Sequence, residues 1–333
     1  MGAGNLHLSL ILSRNPRTEP IISGEVRAKG IDLFVTVAHP SEIFWRQLHH
    51  AEFDASEFSL SSLIIAVSRG DDRFVGLPVF STRRFFHTWI LIRTDRGIQE
   101  PGDLRGRRVG VPEYQQTAAL WSRGVLKDEF SVEPSEIEWF MERTEAMSHG
   151  GATGFVPPPG VRLNRIPAAQ SIGSMMAAGE LDATLLYLRE PNLVDRSVID
   201  LDQHPLVRPL FPDAAAEGAR YYRKTGLFHI NHGMAVRRSI LEQHPWVAVN
   251  LYNAFVEAKD LWEARARELI EAHLQTGGLP LSERRTLKTD PYPYGIKANR
   301  MVLETIARYS VEQGLTPRKL SLNEIFASST LEL

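Results

Sequence analysis

Gly226-Leu-Phe-His-Ile-Asn-His-Gly-Met-Ala-Val-Arg-Arg238 reads as a short strand running into a long amphipathic helix. His229, Asn231 and His232 interrupt an otherwise apolar β-run. Side chains that donate, accept and titrate are unusual in such a strand. One other stretch is its counterpart: Arg83-Arg-Phe-Phe-His-Thr-Trp-Ile-Leu-Ile-Arg93, with His87 inside it. The two are expected to be the crossings between two lobes, with an active cleft against them.

The composition bounds what such a cleft can serve. The 333 residues are 43% hydrophobic and 23% charged, enough for two cores of ordinary size. Thirty-eight basic and 40 acidic residues leave a net charge of −2. That balance argues against nucleic acid or an anionic membrane as the main partner, but it leaves room for a local basic pocket that takes a small anion. Cysteine is absent, which excludes disulfides, thiolate nucleophiles and cysteine-held zinc. Met1 to Leu12 has no basic n-region and no cleavage site after a long apolar run, and Leu6 fails the Ser/Thr position of a myristoylation signal. No apolar run reaches the roughly 18 residues of a spanning helix. The expectation is a cytoplasmic protein that can form a homo-oligomer.

Outward from the focal strand the chain alternates strand and helix. Leu6 to Leu12 has a buried-strand pattern, broken by Ser13-Arg14-Asn15-Pro16. Ile31 to Val37 is a second strand, and Ser41 can cap a helix over Glu42 to Ala51. Phe86 to Ile92 reads as a strand, and Asp103-Leu-x-Gly106 feeding Val109-Gly-Val111 starts a new βα unit. Gln115, Gln116 and Thr117 stand where that strand gives way to a helix, a place that favours anions. Met147 to Pro167, with three consecutive prolines, is expected to be an extended loop. Pro245 opens a long helix, and Asn299 to Gln313 is a second amphipathic one. The class is α/β. Lobe 1 is expected over residues 1–93 and 225–333, including the C-terminal helices, with lobe 2 inserted over 94–224.

The strand to Arg93, Asp103-Leu-x-Gly106, Ala178-Gly-Glu-Leu-Asp-Ala183 and the returning Gly233-Met-Ala-Val236 together resemble the two-lobed type II periplasmic-binding-protein fold. That fold hosts binding proteins, regulator domains and a few enzymes, so it does not settle function. A narrower resemblance is to the 4,5-dihydroxyphthalate decarboxylase family. It rests on Phe53-Asp-Ala-Ser-Glu57, Arg105-Gly-Arg-Arg-Val-Gly-Val-Pro-Glu-Tyr114 and Thr117-Ala-Ala-Leu-Trp-Ser-Arg-Gly124. It also rests on Ile230-Asn-His-Gly-Met-Ala-Val236, Asp290-Pro-Tyr-Pro-Tyr-Gly295 with Asn299-Arg300, and Tyr309-Ser-Val-Glu-Gln-Gly-Leu315. The resemblance implies a carboxy-lyase that converts a dihydroxylated aromatic acid, most simply 4,5-dihydroxyphthalate, to protocatechuate and carbon dioxide.

Such chemistry needs a base near a ring hydroxyl, an acid near the ring carbon that loses carboxylate, and cations for the carboxylates. Histidine suits proton transfer near neutral pH, and arginine binds a carboxylate with two parallel hydrogen bonds. His229, His232, His87 and Glu57 are the catalytic candidates. Asn231, Arg83, Arg84, Gln115, Gln116, Thr117, Arg123 and Ser59 are the substrate-binding candidates. Strand alternation puts His229 and Asn231 on one face and His232 on the other, so the three are not expected to line one pocket together. Adjacent Arg83 and Arg84 should diverge, with one facing inward. His149, in the glycine-rich loop, is expected to be solvated. No cofactor is expected. His229-x-x-His232 with Glu57 and His87 has the ligand types for a divalent metal but no recognised zinc spacing, and no dinucleotide, Walker or nucleophile-elbow motif occurs. The alternative reading is a non-catalytic binding protein for a small aromatic anion on the same fold.

Overall fold

Leu8, Leu10, Ile11 and Leu12 are all buried, so the strand that carries them is covered on both faces. In the computed structural model, which describes residues 4–333, this strand is β1 (Leu6–Leu12). Met1 to Ala3, where the reading against an export signal begins, lie outside the described residues. The chain continues through α1 (Glu19–Ile22), β2 (Ile31–Val37), α2 (Pro40–His50), β3 (Ala55–Ser59), α3 (Leu60–Ser68) and β4 (Phe74–Arg83). It then crosses to a second sheet by way of a 3₁₀ turn at Phe86–Trp89.

The second lobe holds β5 (Leu91–Arg93), β6 (Arg108–Val111), α4 (Thr117–Phe130), β7 (Glu138–Met141) and α5 (His149–Thr153). It continues with β8 (Arg162–Arg165), α6 (Ile172–Ala178), β9 (Ala183–Thr184), β10 (Val207–Pro209) and α7 (Ala214–Thr225). The chain returns to the first sheet as β11 (Ile230–Arg237), followed by α8 (Arg238–Gln243), α9 (Val247–Gln275), α10 (Ile296–Glu312) and α11 (Leu322–Ile325). The first sheet has the order β2-β1-β3-β11-β4, and the second β10-β5-β9-β6-β7-β8. In the first sheet β11 runs antiparallel to both of its neighbours.

Three local expectations change. The strand expected over Phe86 to Ile92 is split, because the chain turns there to leave one sheet for the other. β5 pairs with β9 and β10, so strand pairing divides the lobes between Arg83 and Leu91 and not after Arg93. The stretch from Met147 to Pro167 is not wholly an extended loop, since it holds α5 and β8.

The C-terminal helices join the two lobes. α10 lies on α4, where Gly124 leaves no room for a Cβ against the Tyr309 ring. Arg123 Nε donates to Gln313 Oε1 at 2.8 Å, and Tyr309 donates to Asp128 at 2.7 Å. Beyond α11, Phe326 bridges to Gly76 and covers the otherwise free edge of β4. Among the described residues, no helix is long and apolar enough to cross a membrane.

Candidate active site

The same ends of the strands in both sheets face one another across a cleft of about 670 Å³. This is where α/β sheets present ligands, because the loops there are free to vary while the strands hold them. From the first lobe come the loop after β1, Ser59 at the end of β3, Thr82 to Arg84 at the end of β4, and Asn231 and His232 at the start of β11. From the second come Gln116 and Thr117 at the start of α4, Arg143 after β7, and Leu186 to Glu190 after β9.

Glu57 lies on β3, which is buried along its whole length. Four donors take the place of water around its carboxylate: Ser13 N at 2.7 Å, Ser13 Oγ at 2.5 Å, Ser81 Oγ at 2.8 Å and His232 Nδ1 at 2.7 Å. Burial alone would push its pKa up. The hydrogen bond and charge of His232, with the Ser13 donors, outweigh burial and hold the carboxyl below the usual range. A carboxylate only accepts, so His232 donates through Nδ1 and, in the neutral ring, presents Nε2 as an acceptor. Asn231 Nδ2 lies 2.8 Å from that Nε2, and Phe44 meets the imidazole edge-on at 4.8 Å.

Asn231 and His232 line the cleft together, contrary to simple alternation. The register between β11 and β4 slips here: Ile230 is opposite Arg83 and His232 opposite Thr82. Asn231 is the extra residue of a bulge, which re-aims neighbouring side chains. A hydroxyl cluster closes the floor between the lobes. Thr117 Oγ1 lies 3.0 Å from Ser59 Oγ and accepts from Ser61 N at 2.9 Å, while Ser61 donates to Gln115 O at 2.7 Å. The Gln116 side chain lines the cleft, and its Nε2 has no partner. Gln115 turns away from it, accepting from Thr153 at 3.0 Å.

The cations divide into paired and unpaired. Arg14, Arg143 and Arg189 line the cleft but are paired with Glu19, Asp195 and Asp200. Arg83 and Arg84 both border the cleft, where only one was expected to face inward, though their guanidinium groups part. Arg83 is buried and bonds to Phe228 O, Pro293 O and Asn299 Oδ1, and burial pulls its pKa down to about 10. Arg84 is exposed, and its guanidinium lies 4.7 Å from the Trp89 ring in the cleft. Arg17, which pattern reasoning passed over, also lines the cleft and has no ion-pair partner among the described residues. The signal for it was its place in the loop directly after the first buried strand. Arg123 is no cleft residue. It is buried over the Tyr114 ring at 3.7 Å and bonded to α10, because α4 turns that face toward the C-terminal extension.

His229 and His87 also lie away from the cleft. His229 is fully buried, stacked on Trp121 at 4.3 Å, and neither ring nitrogen has a partner. His87 lies 6.0 Å from it and meets Glu217 at 3.2 Å. Burial pulls the pKa of His87 down to about 4 and that of His229 well below the usual histidine value. Each crossing thus contributes one imidazole to an aromatic hinge. His149 is buried too but lines the cleft, since its loop folds as α5 against α2 and places its ring beside Arg143 and Ser41. Among the described residues no three His, Asp or Glu side chains are placed to hold a metal ion. The four residues with suitable ligand types separate into His232 at the cleft with Glu57 buried beneath it, and a His87–His229 pair at the hinge.

Two lobes, two crossings and a cleft between the strand ends define a periplasmic-binding-protein-like α/β protein. The alkanesulfonate-binding protein SsuA from Xanthomonas axonopodis pv. citri, bound to MOPS, has this fold, with a TM-score of 0.56 at 13% identity over 98% of each chain. The CA3427 gene product of Candida albicans has it too, with a TM-score of 0.53 at 12% identity over 98% of each chain. No family model matches the chain. A 4,5-dihydroxyphthalate decarboxylase from Comamonas testosteroni is 34% identical over 333 residues, spanning 98% of both chains. One from Pseudomonas putida is 34% identical over 218 residues, 66% of this chain and 82% of that protein. The chain belongs to the 4,5-dihydroxyphthalate decarboxylase family.

Proposed function

We propose that this chain decarboxylates 4,5-dihydroxyphthalate to protocatechuate, and that His232 is the base. The observation that carries this reading is the Glu57–His232–Asn231 relay, aimed into a cleft that also holds unpaired guanidinium groups. His232 Nε2 takes the proton of the ring hydroxyl para to the departing carboxylate. Glu57 keeps the Nδ1 proton in place and stabilises the imidazolium that forms. In the resting site Asn231 Nδ2 occupies the Nε2 lone pair; the incoming hydroxyl displaces it, and Asn231 then donates to the oxygen as it gains charge. The phenolate pushes electrons toward the carboxylate-bearing carbon, which takes up a proton supplied in net terms by water. The carbon–carbon bond then breaks, its electrons restore the aromatic ring and the phenolate, carbon dioxide leaves, and the His232 imidazolium returns its proton to the phenolate oxygen. Arg84, on the exposed side, is suited to guide the dianion into the cleft.

No step in this sequence is routed through a metal. The test is chelator-treated protein with 4,5-dihydroxyphthalate in D₂O. Carbon dioxide and protocatechuate with one deuterium at the vacated carbon are expected. Absence of turnover with and without added zinc, manganese or iron would overturn the substrate. Turnover that depends on added metal would overturn the metal-free step.

A further inference from the structure

Arg17 is only 8% exposed, lines the cleft, and has no carboxylate partner among the described residues. A buried guanidinium without a counter-anion is unfavourable, and its position invites one. Of its guanidinium nitrogens only Nη2 meets a protein acceptor, Ser81 O at 2.6 Å, while Nε has none. The plane of the group is fixed all the same. The Tyr292 ring centroid is 4.1 Å from its Cζ and that of Trp262 is 5.6 Å away. Tyr292 belongs to the proline-braced Asp290-Pro-Tyr-Pro-Tyr-Gly295 loop and itself lines the cleft. Stacking of this kind presents the free edge of a guanidinium in one direction.

The surroundings tie Arg17 to the Glu57–His232 pair. Ser81, whose carbonyl receives Arg17, sends its hydroxyl to Glu57 at 2.8 Å. Ser13, at the start of the same loop as Arg17, donates to the other Glu57 oxygen at 2.7 Å. Two further cleft residues, Asn15 and Gln116, each have a buried side-chain N–H group with no acceptor. All of these unmet groups are donors, so this part of the cleft suits an acceptor-rich ligand, and beside a guanidinium an anion.

We propose that Arg17, oriented by Tyr292, binds the carboxylate that the product keeps, and so selects aromatic acids with a second carboxylate beside the departing one. This rests on the decarboxylase reading above. A cation held against the departing carboxylate would stabilise the charge that the reaction must lose, so firm binding belongs on its neighbour.

Calorimetric titration of the full chain with phthalate, protocatechuate and catechol tests it, on wild type and on Arg17→Gln. Phthalate and protocatechuate are expected to bind Arg17→Gln at least about 30-fold more weakly, and catechol, which has no carboxylate, about equally. In turnover KM is expected to rise by a similar factor, with kcat within about threefold, the signature of lost uniform binding. Phthalate affinity within about threefold of wild type, or a fall in kcat at unchanged KM, would overturn the assignment. Should Arg17→Gln not fold, Arg17→Lys retains the charge and loses the planar fork. Phthalate binding about fivefold weaker is then expected, and unchanged binding contradicts the proposal. Wild type that binds phthalate through Arg17 but does not turn over 4,5-dihydroxyphthalate would overturn the decarboxylase reading and leave this site standing.

Discussion

Glu57 keeps a charge that its burial opposes, because four donors surround it. Glu57→Gln is expected to lower kcat about 10- to 100-fold, since His232 loses the group that fixes its tautomer. The same substitution alters acid stability. The folded pKa of Glu57 lies below its usual value, so its ionised form stabilises the fold above the ordinary carboxylate range. That contribution is lost as pH falls through the lowered value. Urea unfolding of Glu57→Gln over a pH series should therefore show a flatter acid limb below about pH 4. The hinge histidines act in a neighbouring window. The unfolded chain protonates near pH 6.5 and His87 in the fold only near 4, so stability is full above about 6.5 and declines toward 4. For His87 the loss is on the order of 3 kcal/mol, and His87→Phe should remove that part of the slope.

At the scale of the element, the bulge in β11 and the start of α4 set the site. Thr117 ties α4 of one lobe to Ser59 and Ser61 of the other. Thr117→Val is expected to cost about 1–3 kcal/mol in denaturant unfolding, because it leaves the Ser61 amide buried without its acceptor. Elements whose evidence is local were legible in the sequence. The apolar run at β1, the Val109-Gly-Val strand and the amphipathic helix near Asn299 to Gln313 each satisfy one periodicity by themselves. What failed needed a distant partner. An alternation of two cannot register the bulge at Asn231, which exists only against Thr82 and Arg83 of β4. Phe86 to Ile92 has β-forming residues throughout, yet must turn because it joins two sheets. Arg123 and His229 carry the right chemistry, but their neighbours on α10 and α4 turn them into packing residues. Arg17 was missed for the mirror reason: its stacking partner Tyr292 lies almost at the other end of the chain.

On the scale of the molecule, the C-terminal extension is a strap across both lobes. α10 belongs to the chain after the return crossing but packs on α4 of the inserted lobe, through Arg123, Asp128 and Gln313. Gly124 is the tightest point of that contact. Gly124→Ala is expected to lose about 1–3 kcal/mol of stability, read by urea unfolding, since a methyl group there must displace the Tyr309 ring. The strap holds the Thr117 end of α4 against Ser59, so the floor of the cleft depends on residues far from it in sequence.

The cleft and the hinge each own one histidine of the β11 stretch, and turnover separates them. Release of carbon dioxide from 4,5-dihydroxyphthalate by wild type, His232→Gln and His229→Phe is the measurement. His232→Gln should lose at least about 100-fold in kcat while still binding phthalate, the usual loss of a general base. His229→Phe keeps the stack on Trp121, removes two unpartnered nitrogens, and should stay within about threefold of wild type. Full turnover by His232→Gln, or its loss in a folded His229→Phe, would contradict a proton transfer centred on His232.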